Sequence, residues 1–149
     1  MIHVEQKFDV RAPRETVWAF ISDMNRVVPC VPGYEKLEAL GEDKYQMRMG
    51  TRIGPIKATF DGLVTFVEKR PPEFMKIQMD GKDTITKSKI RVTATVELVE
   101  TDGGAVSVIG KADVDVLGAL GKYGQGVADK KAAEVGAEFA EKMRAQVER

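Results

Sequence analysis

Apolar and polar residues alternate with a period of two at the start of the chain, which is typical of a half-buried β-strand. One parity holds His3, Glu5, Lys7 and Asp9, and the other holds Val4, Gln6, Phe8 and Val10. Proline suits the first turn of a helix, so Pro13 predicts a short helix over residues 13–22, whose Trp18 packs onto the sheet. A second helical turn is predicted over residues 23–28.

The same alternation continues in six further segments, which are separated by short turn signals rich in glycine, proline and aspartate. Strands joined by short turns pair as antiparallel neighbours, so these segments predict a meandering sheet. Gly62 is expected to mark a bulge or bend, and residues 80–87 a polar loop. The inward rows include Tyr45, Met47, Met49, Thr51 and Ile53; Ile56, Ala58, Phe60, Val64 and Phe66; Met75, Ile77 and Met79; Ile90, Val92, Ala94, Val96 and Leu98; and Val106, Val108, Ala112, Val114 and Val116.

Near Gly118 the apolar period changes from two to between three and four, which predicts one amphipathic helix of about seven turns. The order of strand, short helices, six strands and long helix is typical of an α+β protein with helices segregated from the sheet. We predict a single domain over residues 1–149. Its seven-stranded curved antiparallel sheet wraps around the long C-terminal helix, and two short helices follow the first strand.

An apolar cavity is predicted between the sheet and the long helix, because one helix covers only part of the concave face of a twisted sheet. The helix carries Phe139 and Met143 near its end, whereas glycines at its start leave space. Methionine is flexible and polarizable, and it lines surfaces that accept variable apolar shapes. The side chains and backbone expected to contact a ligand are those of Tyr45, Met47, Met49, Phe60, Met75, Met79, Leu120, Tyr123, Gly124 and Val127.

The mouth of this cavity is expected where the turn over residues 52–55, the loop over residues 80–87 and the helix start meet. A few polar side chains lie on inward parity, and each either orients a polar group of the ligand or hydrogen-bonds a neighbour. These residues are Gln6, Thr51, Thr86 and Ser88.

The composition narrows the possible functions. Acidic and basic residues balance at 23 each, so no global field recruits nucleic acid. No apolar run approaches the roughly 20 residues that span a bilayer, and the chain starts without a signal-peptide pattern. With one cysteine and one histidine, the chain has no internal disulfide and no His/Cys zinc site. We therefore predict a cytoplasmic protein without metal or cofactor.

Candidates for catalysis are few, which favours a protein that is not an enzyme. His3 lies on the polar parity of the first strand, whereas a general base must lie in a cleft. Cys30 lies between prolines, and no histidine is placed to activate it, so we expect a buried, inert thiol. Asp61, Asp113 and Asp115 lie on outward parity, which argues against a paired-carboxylate site.

Three motifs are similar to those of the carbon monoxide dehydrogenase G-subunit family. They are Phe8-Asp9-Val10-Arg11-Ala12-Pro13-Arg14-Glu15-Thr16-Val17-Trp18-Ala19-Phe20 followed by Asp23; Cys30-Val31-Pro32-Gly33; and Gly54-Pro55-Ile56-Lys57-Ala58, with Gly62 and Pro71-Pro72. The resemblance covers essentially the whole chain. It implies the START-like, Bet v 1-like (SRPBCC) superfamily and its helix-grip fold.

Members of that family are linked to molybdenum hydroxylases of the carbon monoxide dehydrogenase type. They are thought to recruit that enzyme to the membrane and to handle a quinone-like lipid. The resemblance therefore implies an accessory protein that binds a lipophilic small molecule and assists such a hydroxylase. Larger members carry a C-terminal tail with a membrane-associating segment, whereas the sequence here stops at Arg149 with a charged helix end. At most, peripheral contact with the inner face of the membrane is expected.

Two other functions stay open. Superfamily relatives include cyclases and dehydratases, and in an enzyme of that kind Tyr123, Gln6 and Thr86 would position the substrate. Alternatively, the outer face of the sheet docks an acidic protein through a basic row, although such a row is equally typical of a solvated sheet face. The row consists of Arg48, Arg52, Lys57, Lys89 and Arg91.

Overall fold

The computed structural model describes residues 2–53, 55–118 and 125–148, without the side chains of residues 51, 53, 56, 125–129, 131 and 132. The predicted α+β architecture with a seven-stranded antiparallel sheet and a long C-terminal helix is confirmed. Its elements are β1 (Ile2–Val10), α1 (Arg14–Ile21), α2 (Met24–Val27), a 3-10 turn (Val28–Cys30), β2 (Tyr34–Gly41), β3 (Lys44–Ile53), β4 (Ile56–Arg70), β5 (Phe74–Asp83), β6 (Lys89–Glu100), β7 (Val106–Leu117) and α3 (Gln125–Val147).

The strands are arranged in the order β1-β7-β6-β5-β4-β3-β2, and every neighbouring pair is antiparallel. Strands β2 to β7 form the predicted meander, and β1 joins its far side next to β7. The two helices between β1 and β2 therefore connect the opposite edges of the sheet. Val17 and Phe20 of α1 are buried, and Trp18 packs against the same core as predicted.

Strand β4 contains a bulge, but at a different position from the one predicted. Gly62 pairs in register with Met47 on one side and Gly81 on the other, whereas the register of β4 with β5 shifts between Phe66 and Glu68. The bulge prediction at Gly62 was therefore wrong. An extra residue in one strand reverses the inward and outward alternation beyond it. The last residues of β4 therefore do not continue the period-two pattern of the residues before the bulge.

The polar loop predicted over residues 80–87 is also shorter than expected. Strand β5 continues through Asp83, and Asp80 to Lys82 stay paired with β4 and β6. Polar side chains at 80 and 82 lie on the outward face, which is why their polarity is compatible with a strand. Only residues 84–88 form the connection.

Helix α3 packs closely on the first strand. A Cβ atom at Gly136 would lie 3.2 Å from Cγ of Gln6 and 3.4 Å from Cγ1 of Val4, so glycine permits this approach. Further along the helix, Met143 and Val147 are buried in the core. The end of the helix is fixed by Glu148, whose carboxylate accepts a hydrogen bond from the backbone N–H of Arg11 at 2.8 Å.

The segment after the 3-10 turn is tied to β3 by a glycine. Gly33 has φ +84, and a Cβ there would lie 1.8 Å from the carbonyl oxygen of Gly50. The N–H of Gly50 in turn donates to the carbonyl of Gly33 at 2.8 Å. Only glycine satisfies both the positive φ and the contact. This is the physical reason for glycine at the end of the Cys-Val-Pro-Gly motif.

Candidate functional site

A cavity of about 380 Å³ lies between the concave face of the sheet and the helices. This volume falls within the range of roughly 300–1,000 Å³ that is typical of small-molecule sites. All lining residues that the structure describes are apolar or glycine. They are Ile2, Val4, Met24, Val27, Val28, Val31, Met47, Met49, Phe60, Val64, Ile77, Met79, Ile90, Val92, Ala112, Val114, Val116, Val135, Gly136 and Phe139.

Four of the predicted ligand-contacting residues line this cavity: Met47, Met49, Phe60 and Met79. Two others do not. Met75 is only 1 % exposed and is packed in the solid part of the core. The ring of Tyr45 packs edge-on against Phe66, with centroids 6.1 Å apart. Both residues lie on the correct face, but farther along their strands than the cavity extends.

The remaining predicted contacts are not tested by the structure. Leu120, Tyr123 and Gly124 lie outside the described residues. Val127 lies within α3, but its side chain, like that of Thr51, is outside the described part. Contact of these residues with a ligand stays a prediction.

One wall of the cavity was missed from the sequence. This wall is formed by α2 and the segment after it, which contribute Met24, Val27, Val28 and Val31 to the lining. This stretch is too short and too rich in proline to show a helical or strand period. The available signal was its apolar composition beside a motif similar to that of a known family.

Two glycines keep the concave face clear beneath the cavity. Gly62 of β4 and Gly81 of β5 are paired across the strands. A Cβ at Gly62 would lie 3.3 Å from Cγ of Met79, and one at Gly81 would lie 2.9 Å from Cγ2 of Ile90. The two larger side chains therefore occupy the space over the glycines. Without the glycines, these side chains would be displaced into the cavity.

The cavity is accessible to solvent along part of its lining. Met49, Met79, Ile90 and Val116 point inward yet are only half-buried. Exposed apolar surface is unfavourable in water, and an apolar ligand that covers it recovers free energy in proportion to the area removed from water. The arrangement can thus bind a lipophilic molecule without any specific polar contact.

A buried carboxylate lies at the end of β5, next to this cavity. Asp83 is fully buried at the end of β5 and accepts hydrogen bonds from the N–H of Thr59 at 2.8 Å, the N–H of Thr86 at 2.8 Å and the hydroxyl of Thr86 at 2.6 Å. Burial alone would raise the pKa of Asp83, but the hydrogen bonds from Thr86, Thr59 and Ile85 together hold it below the ordinary 3.8. Asp83 is therefore an ionised structural group, and each of its carboxylate oxygens already accepts a hydrogen bond.

Two of the polar residues that the sequence predicted to point inward, Thr86 and Ser88, belong to the hydrogen-bond network of this carboxylate. Thr86 donates to Asp83, and its hydroxyl lies 2.9 Å from that of Ser88, which is 1 % exposed. Gln6 packs against Gly136 of α3. None of the three lines the cavity. Sequence analysis missed Asp83 because an aspartate in a polar run is usually a loop residue.

The other candidate reactive groups lie outside the cavity. Cys30 is buried, and burial raises the pKa of its thiol, although Lys142 opposes the rise. His3 is exposed and contacts Asp113 on the outer face of the sheet. A protonated thiol and an exposed imidazole offer no activated nucleophile or base at the cavity.

The predicted basic row on the outer face divides into two parts. Arg48 pairs with Asp61 at 2.7 Å, and Arg91 pairs with Asp80 at 2.7 Å. The hydrogen bond from each arginine lowers the pKa of its aspartate. The remaining members, Arg52, Lys57 and Lys89, are exposed at the end of the sheet near the turn over residues 84–88.

Among the helices of the described part of the chain, none has the length and apolar character required to cross a membrane. The same part of the chain contains no group of three or more histidine, cysteine, aspartate or glutamate side chains arranged to hold a metal ion.

The fold recurs in proteins of known structure. A conserved protein from Geobacillus kaustophilus has a TM-score of 0.87 at 20 % identity, covering 96 % of this chain and 93 % of that one. A START superfamily protein from Mycobacterium smegmatis has a TM-score of 0.72 at 15 % identity, covering 98 % and 97 %. An aromatase/cyclase from a Streptomyces species has a TM-score of 0.61 at 18 % identity, covering 99 % and 93 %. At these identities the likeness shows the START-like fold alone.

Comparison at the level of sequence is more specific. Curated protein sequences yield no significant match. The model of the carbon monoxide dehydrogenase G-subunit (CoxG) family, however, matches residues 7–148, which is nearly the full chain and includes the three motifs noted above. The chain therefore belongs to the carbon monoxide dehydrogenase G-subunit family.

Proposed function

We propose that this protein is a single-domain, non-enzymatic carrier that holds a lipophilic, quinone-like molecule in its cavity and assists a molybdenum hydroxylase of the carbon monoxide dehydrogenase type. The observation that carries the proposal is the wholly apolar lining of the described part of a cavity of about 380 Å³. Family membership supports the choice of partner enzyme. In this view the protein lies in the cytoplasm, with peripheral contact at the inner face of the membrane.

The chemistry of the lining supports a hydrocarbon-rich ligand. A hydroxyl or amide buried among these side chains without a hydrogen-bond partner costs about 1–3 kcal/mol, whereas each buried CH₂ group contributes roughly 0.8 kcal/mol. A prenyl chain makes only favourable contacts with residues such as Met49, Met79 and Val92. A quinone ring has acceptors but no donors, so its burial is less unfavourable than that of a sugar or a nucleotide.

The flexibility of the lining supports carriage of a ligand without chemical conversion. Three methionines line the cavity from β3 and β5, namely Met47, Met49 and Met79. Their unbranched side chains adapt to different chain lengths and ring positions. The described lining places no acid, base or nucleophile within reach of a bound molecule.

The test is to identify the bound molecule and then block its site. Native mass spectrometry and solvent extraction of the purified wild-type protein should reveal a lipophilic molecule. A short-chain prenyl quinone should then bind to protein stripped of that molecule. Met49→Arg should weaken quinone binding more than tenfold, because it places a guanidinium in an apolar lining. Gln46→Arg adds the same charge to the outer face of the same strand and should bind normally.

Two results would contradict the proposal. One is a wild-type protein that yields no lipophilic molecule and does not bind the quinone. The other is a folded Met49→Arg protein that binds the quinone as tightly as Gln46→Arg does. Thermal melting of both variants separates loss of binding from loss of folding.

An enzyme of the cyclase type is the second candidate, and one observation favours it: an aromatase/cyclase has the same fold. If this function is correct, Tyr123, Gln6 and Thr86 position a substrate. Thr86, however, is engaged with Asp83, and Gln6 packs against Gly136. Retention of full turnover by Tyr123→Phe, Gln6→Ala and Thr86→Ala would exclude roles for these residues with any substrate that the protein converts.

A further inference from the structure

The cavity wall formed by α2 and the 3-10 turn has a second, outward face. Its inward face lines the apolar cavity, as described above. Its outward face borders an open cleft of about 540 Å³, a volume typical of small-molecule sites. The cleft is completed by Phe20 of α1 and by the last turns of α3. We call it the α2–α3 cleft; its lining consists of Phe20, Asn25, Arg26, Pro29, Cys30, Lys142, Ala145 and Gln146.

Arg26 is held at this cleft by the aromatic ring beneath it. Its guanidinium carbon lies 4.9 Å from the centroid of the Phe20 ring, which is only 2 % exposed. A guanidinium that stacks on an aromatic ring uses its flat face and keeps the N–H groups at its edges available. Within the described part of the chain, these N–H groups have no acceptor and no carboxylate pairs with Arg26. Arg26 therefore presents an oriented set of unpaired donors.

A second positive charge reaches the cleft from α3. Burial raises the pKa of the Cys30 thiol, and the Lys142 ammonium partly opposes that rise, so the ammonium acts on the floor of the cleft. Among the described residues, Lys142 forms one ion pair, with Glu138 on the preceding turn at 3.4 Å. Both side chains are about half exposed, and pairs of this kind are weak. A bound anion can therefore compete for Lys142.

The other lining residues combine neutral polar groups with apolar surface. The side-chain amides of Asn25 and Gln146 can each donate and accept, and neither has a hydrogen-bond partner in the described part of the chain. Pro29 and Ala145 contribute apolar contacts between them. None of the described lining residues is acidic. The nearby carboxylate of Asp23 is directed to the backbone N–H of Asn25, which it accepts at 3.0 Å.

We propose that the α2–α3 cleft binds a small organic oxyanion, in which a carboxylate or phosphate group is attached to a short apolar body. Arginine binds both kinds of group in a bidentate manner, so Arg26 holds two oxygens of the anion. Lys142 adds a second charge from the side of α3, and the body of the ligand lies against Pro29 and Ala145. This site is separate from the apolar cavity and does not depend on the proposed carrier function.

The shape of the cleft favours a small molecule over an acidic protein. A stable protein interface covers about 800 Å² on each partner. Here the charged, polar and apolar groups instead converge on one concave region between two helices and a 3-10 turn. A few polar groups that converge within a concave site are typical of small-molecule binding.

Titration of isotopically labelled protein, followed by NMR, measures both the affinity and the position of a bound anion. The organic anions to use are benzoate and phenyl phosphate, while inorganic phosphate and benzyl alcohol represent the anionic group and the body alone. Ionic strength is held constant, because salt screens exposed charges. At least one organic anion should bind more tightly than inorganic phosphate and benzyl alcohol, and should shift the resonances of Asn25, Arg26 and Gln146.

Substitutions at the cleft test the residues that carry the inference. Arg26→Gln should weaken binding of the organic anion by roughly tenfold or more, and Lys142→Gln should weaken it several-fold. Ala145→Trp fills the cleft without changing its charge and should abolish binding. The matched controls are Arg144→Gln, which removes an arginine of α3 that lies over Phe8 instead, and Ala137→Trp, at another exposed alanine of α3. Both controls should bind like the wild type.

The inference is overturned if neither organic anion binds to the wild type at about 10 mM, even where an acidic protein is found to bind through Arg26. It is also overturned if inorganic phosphate binds as tightly as the organic anions, or if the controls weaken binding as much as the cleft variants do. Thermal melting of each variant identifies any loss of folding. Met49→Arg should bind the anion normally, so the cleft site and the proposed carrier function can fail independently.

Discussion

The interior of the protein has two ends that are built from the same alternating strands but packed differently. Toward the end of α3, side chains from the sheet, α1 and α3 fill the space completely, with exposures of about 2 % or less for Val10, Val17, Phe20, Met75, Leu98, Val106 and Met143. Around the middle of α3, the sheet borders the cavity, and several inward side chains there, among them Met49, Met79, Ile90 and Val116, are only half-buried. The period-two pattern is identical in both ends.

The difference arises from what lies opposite each row. Phe20 and Met143 project onto the solid end, whereas α3 presents Val135, Gly136 and Phe139 to the cavity. Gly62 and Gly81 leave room against the sheet for the side chains of Met79 and Ile90, which would otherwise be displaced. Stability and ligand binding are therefore assigned to different stretches of the same strands, and substitutions can separate the two.

The largest separation is expected between two methionines of β5. Met75→Ala should lower the free energy of unfolding by about 2–5 kcal/mol, because Met75 is enclosed on all sides. Met79→Ala should lower it by at most about 1.5 kcal/mol, because Met79 already borders open space. Urea denaturation of both variants checks the comparison. Equal losses of stability would mean that the two ends are packed alike.

A smaller loss of stability is expected when the buried carboxylate of Asp83, which lies beside the cavity, is replaced. Asp83→Asn should cost about 1–3 kcal/mol, because an amide replaces an acceptor of three hydrogen bonds. Asp80→Asn, on the exposed face of the same strand, should change stability little. Both variants are compared with the wild type by chemical denaturation at neutral pH.

The pH dependence of stability should report the same group. The pKa of Asp83 is lowered in the folded state, so its contribution is fully present above the ordinary value of 3.8 and is lost as pH falls to the folded value. Asp83→Asn should therefore be less sensitive than the wild type to acid below that pH. Identical acid profiles for the two proteins would show that Asp83 does not carry this dependence.

The smallest change in stability is expected from filling the cavity. Ala112→Leu places a larger apolar side chain into the open space and should raise stability by about 0.5–2 kcal/mol while weakening ligand binding. Ala39→Leu, on the exposed strand β2, should alter neither property. If Ala112→Leu destabilises the protein instead, the side chains around the cavity already use its volume, and leucine displaces them.

Much of the architecture was predictable because alternation depends on local sequence. The rows containing Met47, Met49 and Phe60 were correctly placed on the concave face, and the family motifs indicated the helix-grip fold. How far the cavity extends was not predictable in the same way. Met75 and Met79 have the same type, strand and parity, and only the helices opposite them decide which one borders open space.

The missed features depend on contacts between distant or non-periodic residues. Asp83 is buried because Thr86 turns back onto it and Thr59 donates from the neighbouring strand, and a polar run in the sequence carries no sign of either contact. Val27, Val28 and Val31 form a cavity wall from a segment without a repeating pattern. The bulge between Phe66 and Glu68 reversed the parity of β4 at a position without a glycine signal.

The irregular pairing of β2, one of the two edge strands, bears on how the sheet avoids self-association. β2 lies at an edge, and its register with β3 shifts twice, between Tyr34 and Lys36 and between Ala39 and Gly41. Such shifts twist an edge away from a straight template, and its charged residues, Glu35, Lys36 and Glu38, oppose strand addition. These features disfavour the pairing of β2 strands from different molecules edge to edge.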